Sequence, residues 1–135
     1  MNGEKIIRVK DVMTGNYQIV DGLTTVDEGM QIMRDSAVRT LIIKKRDQND
    51  AFGLVLISDI GKNVLAKNRS PKRVSLYEIM SKPVVWVEPE MNIRYCARLF
   101  LKFGFAIAPV VEKGEIVGIV SYHDMVLNGL THLDD

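Results

Sequence analysis

The apolar positions of this chain change their spacing several times, and they do so in the same order twice. The first half opens with a short strand predicted over Tyr17–Val20. Val26, Met30 and Met33 then recur at i, i+4 and i+7, which is the spacing of one helix face. Two strands follow, Thr40–Lys44 and Leu54–Ile57, joined by the polar connection "KKRDQND" at 44–50, and a closing helix is predicted from near Ser58. The second half predicts a strand over Val84–Val87, a helix on Ile93, Ala97, Phe100 and Leu101, and strands over Ile107–Glu112 and Ile116–Val120. Its closing helix is predicted from near Tyr122. Pro89 suits the opening turn of the second long helix and Gly104 its exit, while "EKGE" at 112–115 reads as a tight hairpin turn.

The sequence itself repeats in step with these elements. "KDVMTGNYQIV" at 10–20 is answered by "YEIMSKPVVWV" at 77–87, so that Asp11-Val12-Met13-Thr14 stands beside Glu78-Ile79-Met80-Ser81. "VRTLIIK" at 38–44 is answered by "AIAPVVE" at 106–112, and "FGLVLISDI" at 52–60 by "VGIVSYHDM" at 117–125. Three correspondences in one order, at a period of about 65–68 residues, identify a tandem duplication. The predicted class is α+β, a β-α-β-β-α unit written twice, with repeats at 9–66 and 76–130 and a basic linker at 67–75.

Composition narrows the function classes. With 47% apolar and 26% charged residues among 135, the chain reads as an ordinary soluble globular protein. A net charge of +1 argues against nucleic-acid binding by the whole surface. No apolar run approaches the roughly 20 residues that span a bilayer, and "MNGEKIIRVKD" lacks a signal-peptide core, so no membrane association and a cytoplasmic location are expected. The lone Cys96 cannot form an intrachain disulfide, and Ile93, Ala97 and Phe100 at helical spacing around it point to packing. One local anomaly is the run 61–73, which holds Lys62, Lys67, Arg69, Lys72 and Arg73 without an acid. It reads as a solvated linker, or as a basic patch for nucleic acid or an acidic partner, although no aromatic residue is interleaved for base stacking. Neither a nucleophile–base pair, a Walker-type glycine loop nor a metal-ligand set is evident, so no enzymatic activity, catalytic cofactor or metal site is expected.

The stretch "GIVSYHDM" at 118–125 carries the candidate chemistry. A Ser121-x-x-Asp124 pair ahead of Met125, Val126 and Leu127 is a capping-box signature, which needs no ligand. The first copy has Leu56 where the hydroxyl should be, yet keeps Asp59, so acid and hydroxyl are separable. Ser58 is then the candidate cap of the first closing helix.

From about Val9 to Leu130 the element order and these motifs resemble the CBS domain, and the pair resembles a Bateman module in a stand-alone tandem protein. The family's ligand motif is Gly, two apolar residues, Ser or Thr, two variable residues and Asp. Gly118 to Asp124 fulfils it, whereas Gly53 to Asp59 departs from it at Leu56. The resemblance implies a pseudo-twofold pair of clefts between the repeats, each able to take an adenosine compound. For the main cleft it implies Asp124, Ser121, His123 and Ile119, with Thr14, Tyr17, Ile19, Ala37, Val38, Arg39, Ala106 and Ile107. For a second, weaker cleft it implies Asp59, Ser58, Ser81, Val84 and Trp86, sharing Val38, Arg39, Ala106 and Ile107; Trp86 otherwise reads as core or interface.

The expected roles follow from the chemistry of these groups. A carboxylate such as Asp124 accepts bonds from the two hydroxyls of a ribose. Ser121 and the amides that open the last helix would donate to phosphate, Ile19, Val38 and Ile107 would wall the adenine, and Arg39, Lys82 or His123 would reach the phosphates. AMP or ADP is favoured over ATP, S-adenosylmethionine or NAD. The expected protein is therefore a non-enzymatic, energy-sensing regulatory module, a homodimer that signals to a separate and unknown protein target. The alternatives are a ligand-free interaction scaffold and a nucleic-acid-binding module using the basic linker.

Overall fold

The computed structural model describes residues 5–82 and 85–133, and they form two compact units, one from Asn16–Val84 and one from Met1–Gly15 with Val85–Asp135. In chain order the helices are α1 (Val9–Val12), α2 (Val26–Ser36), α3 (Ile57–Ile60), α4 (Ile93–Phe103), α5 (Tyr122–Met125) and α6 (Thr131–Leu133). The strands are β1 (Gln18–Val20), β2 (Thr40–Ile43), β3 (Gly53–Leu56), β4 (Ile107–Glu112) and β5 (Glu115–Ser121). Mixed helix and strand content around small sheets is the predicted α+β class.

In the 16–84 unit, β1 pairs parallel with β2 and β2 pairs antiparallel with β3. α2 makes the crossover that parallel pairing requires. Thr25 opens it with a capping box, its Oγ1 accepting the Glu28 N–H at 3.1 Å while the Glu28 carboxylate accepts the Thr25 N–H at 3.2 Å. Ala37 closes it in the left-handed region at φ 55, and the Val38 N–H returns to the Met33 carbonyl. Every residue of β2 is buried, so Leu41 and Ile43 pack with Val26, Met33, Val55 and Leu76 in one core. Each such side chain contributes about 1.5–3 kcal/mol on full burial.

The other unit repeats the plan around the β4–β5 hairpin. Its turn places Lys113 at φ 53 and Gly114 at φ 80, the mirror-image turn whose twist suits a two-residue hairpin. α4 starts at Asn92, whose Oδ1 accepts the Arg94 N–H at 2.9 Å, and ends at Gly104 with φ 74. Phe100, fully buried, meets the Tyr122 ring edge-to-face at 5.3 Å. Cys96 is buried as packing predicts, and burial pushes its thiol up to about 11.

Several boundaries differ from the sequence pattern. The strand expected over Val84–Val87 is reduced to a parallel bridge of Val87 to Val110, and Val84 lies outside the described residues. Trp86, read as core or interface, is 51% exposed and so not core. Pro89 stands in a turn ahead of α4, because Asn92 supplies the cap. Both closing helices continue from an α turn into a π-helical stretch, Gly61–Leu65 and Val126–Leu130. The basic linker packs against α2 rather than floating: Val26 and Asp27 donate their N–H groups to Val74 and Pro71, and Arg69 is paired with Glu78 at 2.9 Å.

The compact units also exchange the opening segments of the sequence repeats. α1 belongs with the second repeat, where the Val9 and Lys10 N–H groups donate to Met91 and Pro89, and Lys10 pairs with Glu90. Residues 76–82 belong with the first, where Leu76 and Tyr77 donate to Thr24 and Gly22. The end of that second segment is anchored by Asp50, whose side chain is only 7% exposed. Its carboxylate pairs with Lys82 and accepts the Arg46 N–H at 2.9 Å. Hydrogen bonds from Lys82 and Arg46 hold the Asp50 carboxyl well below the usual carboxylate range. A carboxylate depressed in the folded state stabilises the protein above its unfolded pKa and loses that effect as pH falls through the folded one. Melting between about pH 4 and pH 2 should therefore fall more steeply for the wild type than for Asp50→Asn, which should melt several degrees lower at pH 7.

Candidate ligand site

Gly118 permits the approach that builds the site in the second unit. A Cβ there would lie 2.9 Å from the Met13 sulfur and 3.2 Å from the Thr14 carbonyl oxygen. Next to it, Thr14 and Ile119 exchange both backbone bonds, at 2.9 and 3.0 Å, in an isolated antiparallel bridge. Met13 and Thr14 of the opening motif are thereby laid along the Gly118-Ile119 start of the ligand motif. The first repeat does the same in its own unit, with Met80 over Gly53 and Ser81 bonded to Leu54 at 2.7 and 2.9 Å.

From this bridge β5 runs to Ser121, where α5 begins. The Asp124 Oδ2 accepts the Ser121 N–H at 3.0 Å and the Ser121 hydroxyl at 2.8 Å, while the Asp124 N–H donates to the Ser121 Oγ at 3.1 Å. The capping box is thus fully formed. Both bonds that the carboxylate accepts here use Oδ2, leaving Oδ1 as the oxygen available to a further donor. The site sits at a strand end, since Ile107 pairs with Ser121 and the Tyr122 N–H bonds the Ala106 carbonyl. Thr14 and Ser121 are half-buried, Ile119 and Asp124 buried, and Ala106 and His123 exposed.

Two of the expected phosphate donors are engaged within the protein. In this structure the Ser121 hydroxyl proton is given to Asp124, and the Ser121, Tyr122 and Asp124 amides are bonded to Asp124, the Ala106 carbonyl and the Ser121 hydroxyl. Lys82 is paired with Asp50, which offsets its charge.

Tyr17, Ile19, Ala37, Val38 and Arg39 lie in the 16–84 unit. Ile19 and Arg39 are exposed and Val38 is buried. Thr40 pairs with Leu56, which brings Arg39 to the end of the sheet where the closing helix, carrying Asp59 in its first turn, begins. There Asp59 Oδ2 accepts the Leu56 N–H at 2.8 Å. Ser58 lies within the first helical turn and not at its cap, because the helix starts at Ile57 with Leu56 as N-cap. The hydroxyl that fixes Asp124 has no counterpart at Asp59. The Gly-to-Met contact was not legible from the motif, although the paired Met13 and Met80 were its only sequence sign.

Among the described residues no group of His, Cys, Asp and Glu could hold a metal ion, and no helix is long and apolar enough to cross a membrane. The family model for the CBS domain matches residues 9–65 and 76–128. The chain belongs to the CBS domain family. A hexameric CBS-CP12 protein from bloom-forming cyanobacteria is 34% identical, with a TM-score of 0.85 over 92% of this chain and 72% of that one. A CBS domain protein of Pyrobaculum aerophilum, complexed with AMP, has a TM-score of 0.78 at 20% identity over 95% of this chain and 98% of its own. A CBS domain pair in complex with 5′-methylthioadenosine and S-adenosyl-L-methionine has a TM-score of 0.77 at 23% identity over 97% of this chain and 100% of its own. The CBS pair spans 44% and 57% of the length of two curated relatives, from Thermofilum pendens and Methanopyrus kandleri.

Proposed function

We propose that this CBS pair is a non-catalytic regulatory module that binds an adenosine-containing ligand through Asp124, with AMP or ADP favoured, and signals to a separate protein. The observation that carries the reading is the state of Asp124: buried, held by Ser121 through one oxygen, with Oδ1 left to accept a ribose hydroxyl. The adenosine compounds bound by the two structural relatives support the ligand class. The roles of Ile19, Val38 and Ile107 toward adenine, and of Arg39 and His123 toward phosphate, belong to this proposal on the family resemblance. The Asp59 site, lacking the hydroxyl, is the weaker one.

Self-association is part of the same reading. Each unit carries an exposed apolar groove between its long helix and its closing helix, about 310 Å³ beside Ile93, Ala97 and Val126 and about 330 Å³ beside Met30, Ile57 and Leu65. The hexameric cyanobacterial relative supports it.

A thermal-shift panel of AMP, ADP, ATP, S-adenosylmethionine and NAD tests the ligand reading. A ligand at 100 times its dissociation constant stabilises the folded state by about 2.7 kcal/mol. Melting should rise by several degrees with at least one of the five. No rise with any, in protein whose absorbance at 260 nm shows it free of nucleotide, would leave the ligand-free scaffold.

A further inference from the structure

The second unit leaves an indole uncovered at the hairpin end of its sheet. Trp86 precedes the Val87–Val110 bridge, and half of its surface is exposed. It borders a cavity of about 190 Å³ to which Pro89 and Val111, both buried, add further apolar surface. β4 runs from Ile107, opposite Ser121, to Glu112 beside this cavity. At about 3.3 Å per residue, the cavity is therefore about 15 Å from the strand end where Asp124 is held.

The remaining lining is charged: Glu88, Glu90, Glu112 and Lys113. Glu90 is already neutralised, paired with Lys10 at 2.8 Å and with Arg8 at 3.7 Å. Glu88 and Glu112 are exposed and have no ion-pair partner among the described residues, and Lys113 at the rim pairs with neither. Two carboxylates in this state repel phosphate, which sets aside nucleic acid and a nucleotide's phosphate end as occupants. A cation is favoured twice over, because the indole face attracts it and the carboxylates accept its N–H groups. Arginine fits better than lysine, since its guanidinium is planar, stacks on aromatic faces and offers five donors in a fork. Small-molecule pockets generally start at about 300 Å³, so the volume here suits the end of a single side chain.

We propose that the cavity beside Trp86 docks an arginine of a separate, basic polypeptide, with the guanidinium stacked on the indole and bonded to Glu88 and Glu112. This surface uses none of the Asp124 motif, so it stands apart from the adenosine reading.

Trp86 is the only tryptophan of the chain, and its fluorescence therefore reports this cavity directly. The probe is the peptide acetyl-Gly-Arg-Gly-Arg-Gly-amide, titrated into the full chain at low salt. A saturable change in fluorescence is expected, with none from the all-glycine peptide. Glu88→Gln/Glu112→Gln should weaken binding roughly tenfold. Asp35→Asn/Asp47→Asn, an equal change of charge at exposed positions of the other unit, should bind as the wild type does. Trp86→Ala, followed by calorimetry, should also lose roughly tenfold. All of these side chains are exposed, so matching melting temperatures should report intact folding. No saturable change in the wild type, or equal weakening in both charge variants, overturns the inference. A change with AMP but not with the peptide overturns it too, placing Trp86 in an adenosine cleft and leaving the ligand reading intact. Fluorescence that shifts when the protein alone is diluted would mean that another copy's basic run 61–73 fills the cavity, and the separate partner falls.

Discussion

Replacing Asp124 by asparagine is expected to cost ligand affinity tenfold to a hundredfold while leaving the fold almost as stable as before. The amide oxygen of asparagine can take over both bonds that Oδ2 now accepts from Ser121, so the capping box survives. The amide nitrogen then replaces Oδ1, which exchanges an acceptor for a donor and removes the charge. A bond to an ionised group contributes about 1.5–3 kcal/mol, and each 1.4 kcal/mol is a factor of ten. Ser121→Ala should do the reverse. It removes the cap, at a cost of about 1 kcal/mol, but leaves the carboxylate, so affinity should fall less than tenfold. Calorimetric titration and urea unfolding on both variants separate the two roles of this one motif. Equal affinity in wild type and Asp124→Asn would reduce Asp124 to a helix cap.

How much of this was legible in the sequence depends on the range of the interaction concerned. The duplication, the order of elements, the Gly104 exit and the 112–115 turn are local or periodic signals, and the chain displays them directly. The Ser121–Asp124 box is likewise a four-residue signal, and the structure shows its capping half, made through Oδ2. What the sequence hid is long-range. Lys82 looked like a free cation because Asp50, its partner, lies 32 residues away across a loop. Trp86 read as core or interface, and the core half of that reading fails because the run here keeps a bridge at Val87 and leaves the indole half exposed. Ser58 looked like a cap until the strand end placed the N-cap two residues earlier, at Leu56. The exchange of opening segments between the units has no local signature, for it is written in bonds such as Val9 to Met91.

That exchange makes Gly118 the position where a small change should matter most for folding. Gly118→Val should destabilise the protein by about 2–3 kcal/mol, near the upper range for overpacking a fitted site. Its Cβ alone would meet the Met13 sulfur at 2.9 Å and the Thr14 carbonyl oxygen at 3.2 Å. The thioether can rotate away, but the carbonyl is fixed by the bonds between Thr14 and Ile119. Two further methyl groups therefore push on backbone, and the opening segment must separate from β5. Urea unfolding should show the loss, and adding Met13→Ala should recover only the side-chain part of it. Gly61→Ala is the control, because a Cβ there meets nothing within 4 Å and the backbone is helical at φ −58. That change should stabilise by about 0.5–1 kcal/mol through the unfolded chain. If Gly118→Val unfolds at the same urea concentration as the wild type, the opening segment is not held against β5, and the platform under Asp124 is not built from the bridge of Thr14 to Ile119.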